Sequence, residues 1–277
     1  MASFLAFVLF AGCSGPQTGS AESVESLTAG ADLSTNENTS AITFTDDLGR
    51  TLTIERPKRV AALIGSFADI WCLAGGQDTL AAAADDAWTS FELELGEDVA
   101  SLGSVKSPNL ETLLAASPDL ITASCSTQAD LELLTTFEQA GIPAAYFDVQ
   151  SLDEYLHMLE ICTQLTGCPE NYELYGTQVQ KRVEEASARQ DGSSPTVLYI
   201  RASGSSCKVK GSDGSVLGEM LADLGCINIA DSSSLFEDLS LEAILAADPD
   251  YIFAILQGTD PADTQATLEA TLLSNPA

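Results

Sequence analysis

Apolar and polar positions change their spacing several times along the chain, and each change marks an element. Thr43-Phe44 and Leu52-Thr53-Ile54 flank the turn Asp46-Asp47-Leu48-Gly49 and predict an opening β-hairpin. Arg59 to Ile64 is an apolar, β-prone strand ending at Gly65-Ser66, and Phe67 to Ala74 reads as a helix. Leu80 to Ala84 is a second strand, although alanine favours helix. Gln128 to Ala140 is an amphipathic helix closed by Gly141, Pro143 to Phe147 a strand, and Leu152 to Leu165 a helix stopped at Gly167. Pro169 is tolerated at a first helical position, so a further helix runs to about Arg189. Its roughly 20 residues span about 30 Å at 1.5 Å each. Thr196 to Ile200 then opens another strand. Strands alternating with helices indicate parallel sheets covered by helices, an α/β fold.

Residues 109–123 (NLETLLAASPDLITA) and 240–254 (SLEAILAADPDYIFA) agree at nine of fifteen positions without a gap. Each copy starts on a good N-cap, Asn109 or Ser240, and carries an acid in the first helical turn, Glu111 or Glu242. Each helix should end before Pro118 or Pro249, because a residue preceding proline avoids the α region. Asp-Leu-Ile-Thr-Ala and Asp-Tyr-Ile-Phe-Ala then read as short buried strands. Two copies so far apart in sequence suit two similar lobes rather than a solenoid.

The chain has 277 residues and a formal charge of −30, from 41 acidic against 11 basic residues. That excess opposes nucleic-acid binding, which neutralises phosphates with Lys and Arg, and charge-driven adhesion to an anionic membrane. Met1 to Ala11 is an apolar run too short to span a bilayer as a helix. It leads into Phe10-Ala11-Gly12-Cys13, which resembles a bacterial lipoprotein cleavage site with Cys13 lipidated, although no Lys or Arg precedes the run. Ser14 to Ala41 carries too few large apolar residues to offset its ordering entropy and is expected to be a flexible tether. The expected organisation is therefore signal and lipobox (1–13), tether (14–41), N-terminal lobe (42–167), connecting helix (168–190) and C-terminal lobe (191–277).

Cys72, Cys125, Cys162, Cys168, Cys207 and Cys226 form no C-x-x-C pair, so neither a zinc ribbon nor a thioredoxin site is indicated. Most sit among apolar neighbours like small core residues, and their pairing is not readable. The single histidine, His157, falls within an amphipathic helix. No G-x-S-x-G, H-E-x-x-H or Walker motif is present, which argues against an enzyme. A carboxylate-based surface hydrolase stays open as the catalytic alternative.

Asp47-x-Gly49-Arg50, Pro57-x-Arg59-Val60, Gly103-x5-Asn109-Leu110-Glu111 and Pro118-Asp119-Leu120-Ile121 in the first half resemble the substrate-binding proteins of iron–siderophore, haem and vitamin B12 ABC importers. In the second half Gly211 to Gly225, Ser240-Leu241-Glu242 and Pro249-Asp250-Tyr251-Ile252 carry the same resemblance. It covers about residues 42–277 and implies two Rossmann-like lobes joined by a rigid helix, with the ligand in the cleft between them. It also implies that the family would continue past Ala277 through another strand and closing helix, so a truncated C-terminal end is expected. By the same resemblance Glu111 and Glu242 would dock into arginines of a permease dimer that works with ATPase subunits. One exposed acid per lobe suits a two-fold partner with bidentate arginine forks.

Ligands of α/β sheets bind at the carboxyl ends of the strands. Ser66, Phe67, Trp88, Lys106, Ser124, Arg201, Lys210 and Phe236 fall in or beside such loops. Trp88, Phe67 and Phe236 are aromatic surfaces for a flat ligand, while Arg201, Lys106 and Lys210 are cations for catecholate or carboxylate groups. Gly211, Gly214 and Gly218 hint at an anion-receiving helix start, with a plain turn as the simpler reading. One histidine argues against a bare zinc or manganese site. Met158 and Met220 stand near no expected cleft loop, which disfavours axially ligated haem. What remains is a metal chelate, siderophore or corrinoid, carried as cargo with no cofactor of the protein's own. The alternative is a surface-anchored sensor or adhesin on the same fold.

Overall fold

The structure, a computed structural model, describes residues 41–189, 191–232, 241–257 and 261–273. Cys13, residues 14–40 and Phe236 lie outside them. Strands β1 (Ile42–Thr45) and β2 (Thr51–Ile54) pair antiparallel, Ile42 opposite Ile54. Asp46 closes their turn: its carboxylate accepts from the Arg50 backbone N–H at 2.9 Å, from the Arg50 guanidinium, and from the Tyr146 N–H at 3.2 Å. Arg50 also stands 5.1 Å from the Tyr146 ring centre, so a buried charge pair and a cation–π contact tie the hairpin to the body.

The first body alternates β3 (Val60–Ala62), α1 (Gly65–Leu73), β4 (Leu80–Ala83), α2 (Asp86–Thr89), β5 (Ala100–Ser101), α3 (Leu110–Ala115), β6 (Leu120–Ser124), α4 (Gln128–Ala140) and β7 (Ala144–Phe147). All five strands are parallel, in the order β5-β4-β3-β6-β7. The alanines of β4 are buried at every position, so tertiary burial overrides their helical preference. Phe67, Trp71, Met158 and Leu159 fill one side of the sheet, and Leu63, Leu113, Phe137 and Tyr146 the other. Helix α5 (Leu152–Thr166) is capped by the Ser151 hydroxyl and ends on left-handed Gly167, as Gly141 ends α4.

Helices α6 (Pro169–Tyr172) and α7 (Gln178–Ser187) are one continuous helix, but a π-helical turn over Glu173–Thr177 interrupts the regular helix expected there. The second body follows: β8 (Thr196–Ser203), β9 (Ser206–Lys210), α8 (Val216–Asp223), β10 (Ile227–Asn228), α9 (Leu241–Ala247), β11 (Tyr251–Leu256) and α10 (Pro261–Leu273). Strands β10-β8-β11 are parallel, and β9 folds back antiparallel on β8. Leu198, Ile200 and Ile244 pack with Leu268 and Leu272 of α10 on one face, and Val197, Tyr199 and Leu221 on the other. Among the described residues the two sheets are separate and each packs its own buried clusters.

The sequence repeat is a structural repeat. The Asp119 carboxylate accepts from the backbone N–H groups of Lys58 and Arg59, both at 2.9 Å, and the Asp250 carboxylate from Thr196 N at 2.8 Å and Thr196 Oγ1 at 2.9 Å. Each aspartate clamps the start of the strand beside its own. The next residues then pair in the same register, Leu120 with Val60 and Tyr251 with Val197. The expectation of two buried strands holds only for the first copy. Strand β6 is central and buried throughout, whereas β11 is an edge strand exposed at every residue, Tyr251 at 60%. Among the described residues helix α10 packs chiefly on β8 and β9 and touches β11 less.

Candidate functional site

Four helices each turn one stripe toward a shared cavity of about 430 Å³, within the ~300–1,000 Å³ usual for small-molecule sites. Helix α1 supplies Ser66, Asp69 and Ile70, and α5 supplies Leu152 and Tyr155. Helix α7 adds Val179 and Val183 one turn apart, and α8 adds Val216, Glu219, Met220 and Asp223. Their spacings of three, four and seven are those of one helical face. Phe91 and Val149 complete the wall from loops. The contributions of the first body follow the carboxyl ends of β3, β4 and β7, where a parallel sheet presents its loops.

Local backbone chemistry fixes the α1 wall. Gly65 starts the helix, and its N–H donates to the Asp86 carboxylate at 2.9 Å. A Cβ on Gly65 would sit 2.5 Å from Ala87 N, so only glycine permits this approach of α1 to α2. Opposite it, α8 is capped by the Ser215 hydroxyl, which accepts from Gly218 N at 3.3 Å. In the glycine-bearing loop before it, Ser212 N and Oγ donate to Asp231, so the chain's own carboxylate takes these donors.

The polar groups of the cavity are unlike in number. Three carboxylates line it, Asp69, Glu219 and Asp223, and no Lys or Arg does. Burial pushes the Asp69 carboxyl above its usual range. Glu219 is pushed up as well, first by burial and then by Glu154, Asp223, Asp213 and Asp153. All of these charges are negative.

Of the residues expected at the site, the cavity wall takes Ser66 alone. Phe67 is 3% exposed and its ring stands edge-on to Phe147 with centres 6.2 Å apart, so it is core and shows no open face. Trp88 is half-buried against the same core. Lys106 is exposed, and Ser124 is buried with its hydroxyl 2.9 Å from that of Ser126. Arg201 and Lys208 are direct cross-strand partners, as are Tyr199 and Lys210, which puts three cations on one face of the β8–β9 hairpin. Glu111 and Glu242 are both exposed in the first turns of α3 and α9. His157 is exposed, its Nε2 3.8 Å from Asp47 Oδ1. Sequence reasoning missed Asp69, Phe91, Tyr155 and Glu219, and it placed Met220 away from any cleft loop, whereas Met220 lines this cavity, which removes that ground against axially ligated haem. The signal was present as helical stripes, which read equally well as core.

Among the described residues the six cysteines are free, no group of three His, Cys, Asp or Glu is arranged to hold a metal ion, and no helix is long and apolar enough to cross a membrane.

A family model described as periplasmic binding protein matches residues 60–277. The chain is 28% identical over 220 residues to a vitamin B12-binding protein of Pectobacterium atrosepticum, covering 76% of each. Among solved structures it is similar to a petrobactin-binding protein of Bacillus subtilis (TM-score 0.69, 19% identity, 85% of each chain). It is also similar to the substrate-binding protein of an iron-uptake ABC transporter of Streptococcus pneumoniae (TM-score 0.68, 20% identity, 84% of each). At these identities the structural likeness bears on fold.

Proposed function

The chain belongs to the periplasmic binding protein family, and from that premise we propose that it is the extracytoplasmic substrate-binding component of an ABC importer, binding an organic metal chelate without turning it over. The observation that carries the reading is the cavity walled by α1, α5, α7 and α8, which lies between the two separately cored bodies and is lined mainly by apolar side chains. In this reading 42–167 and 191–277 act as lobes, 168–190 connects them, and a lipid on Cys13 with the tether 14–41 holds the protein at the membrane.

The ligand is a siderophore or corrinoid, as for the petrobactin-binding and vitamin B12-binding proteins to which the chain is similar; haem-binding proteins share the fold as well. An already coordinated metal requires no donor set from the protein, only a surface fitted to the organic shell. Glu111 and Glu242 are the permease contacts. Each is exposed in the first turn of a helix, and the two helices begin the two copies of the repeat. Two such carboxylates match arginine forks on a two-fold permease. Reversing both charges is expected to abolish uptake in cells while ligand affinity stays unchanged, and surviving uptake would remove them from that role.

The binding test is tryptophan fluorescence of the chain with Cys13→Ser, titrated with ferric siderophores, cyanocobalamin and haemin. Saturable quenching at micromolar levels or below is expected from one of them. Trp71 is fully buried and Trp88 half-buried, so Trp88→Phe should lower the response. Silence from every chelate, confirmed by calorimetry, would overturn the ligand class.

A further inference from the structure

The cavity's charge is more informative than its shape. Every Lys and Arg of the chain falls in a described segment, and none of the 11 lines the cavity. Arg50 is committed to Asp46, and Arg59 to the Ala116 carbonyl at 2.7 Å. Lys181 of α7 faces Glu185 at 3.9 Å and stands two residues from Val179 and from Val183, on the side of the helix away from the cavity. The titratable groups on the wall are Asp69 of α1 with Glu219 and Asp223 of α8. Asp153 and Glu154, in the first turn of α5, act on Glu219 from across the cavity.

These acids stand beside Ile70, Phe91, Tyr155, Val183 and Met220, and an apolar wall strengthens every charge interaction near it. Asp69 and Glu219, both pushed up by burial and with no Lys or Arg on that wall, carry a desolvation cost that an incoming positive charge relieves. An anionic ligand would add to the repulsion already acting on Glu219.

We propose that the cavity selects a metal chelate of net positive charge, its cation held between Asp69 and Glu219 and its apolar part against Phe91, Tyr155 and Met220, and that it rejects anionic tris-catecholates. The inference rests on the binding-protein reading and deepens it, assigning the sign of the ligand's charge. It reverses the sequence-based expectation that Arg201, Lys106 and Lys210 neutralise an anionic ligand.

The test is a calorimetric titration of the full chain with three probes differing in charge: the cationic ferric complex of desferrioxamine B, neutral cyanocobalamin and trianionic ferric enterobactin. The cationic hydroxamate complex is expected to bind, to weaken about tenfold or more between low and high salt through screening, and to lose roughly three- to tenfold in each of Asp69→Asn and Glu219→Gln. Circular dichroism of both variants separates lost binding from lost fold. Tighter binding of ferric enterobactin, or of the cobalamin with no effect of either variant, would overturn the charge assignment and leave the binding-protein reading intact. No binding by any probe, with haemin and further ferric siderophores also silent, would overturn both.

Discussion

Ser117 and Asp248 adopt the same left-handed backbone, φ 49° and 44°, each directly before the proline of its copy of the repeat. Left-handed φ costs a non-glycine residue roughly 1–2 kcal/mol, and both copies carry that cost at the same joint between helix and strand. Ser117→Gly and Asp248→Gly should each raise stability by up to about 1 kcal/mol, once glycine's larger unfolded-state entropy is subtracted. Ser117→Ala should give no gain. Urea midpoints of the three variants decide this, and a loss in either glycine variant would show that the side chain contributes more than the strain removes.

Asp130 is fully buried in α4. Its Oδ2 accepts from Ser124 N at 2.8 Å and its Oδ1 has no partner. Burial, opposed by the Ser124 hydrogen bond, pushes its carboxyl up to about 7 from 3.8. A raised folded-state value means that the protonated form is favoured by folding. This contribution is fully present below about 3.8 and is lost as pH rises through about 7. Asp130→Asn removes the ionisation while still accepting from Ser124 N. It should gain roughly 1–3 kcal/mol over the parent at pH 8 and match it near pH 4. Denaturant midpoints across that range measure the difference, and a pH-independent offset would contradict it.

Burial pushes the thiols of Cys72 and Cys125 up to about 11 and that of Cys162 to about 12, with nearby aspartates adding to the first two. Thiolate, not thiol, is the nucleophile, so these three should alkylate at least tenfold more slowly in the native protein at pH 7.5 than in denaturant. Iodoacetamide labelling followed by peptide mass analysis gives the rates. Native rates equal to denatured ones would mean that these sites open freely.

Gly65→Ala should destabilise by roughly 1–3 kcal/mol, since the added methyl meets the backbone of Asp86 and Ala87 rather than a movable side chain. Gly141→Ala, which meets no neighbour and carries only its own left-handed strain (φ 67°), is the comparison. Thermal melts of the two separate steric collision from backbone strain.

Much of the fold was legible because local signals agreed with one another. Gly141 and Gly167 stop their helices where expected, and the repeat announced its clamp through Pro118-Asp119 and Pro249-Asp250. The return strand β9 was missed, because Ser206 to Lys210 carries alternate lysines and no apolar run. Burial of β11 was misjudged because a residue's neighbours across a sheet are not written in its own segment. The cavity was the least legible part. Val179 and Val183, or Glu219 and Met220, share a helix face by spacing alone, but which face meets which is decided by packing between bodies far apart in sequence. Expecting function in loops at strand ends named Ser66, which lines the cavity, and passed over the helical stripes behind it.

The π-helical turn Glu173–Thr177 is equivalent to one extra residue in the helix joining the bodies, with Gly176 buried against Tyr172 and Leu156. At 3.6 residues per turn one residue is a phase of about 100°. The wider turn absorbs that residue, so Val179 and Val183 keep the phase that a regular helix one residue shorter would give them; winding the turn as regular helix without a deletion would instead put Gln178 and Arg182 where Val179 and Val183 line the cavity. The apolar character of that wall therefore depends on the wide turn keeping its extra residue wound in, and a change in that turn alone would alter the wall with no substitution at any lining residue.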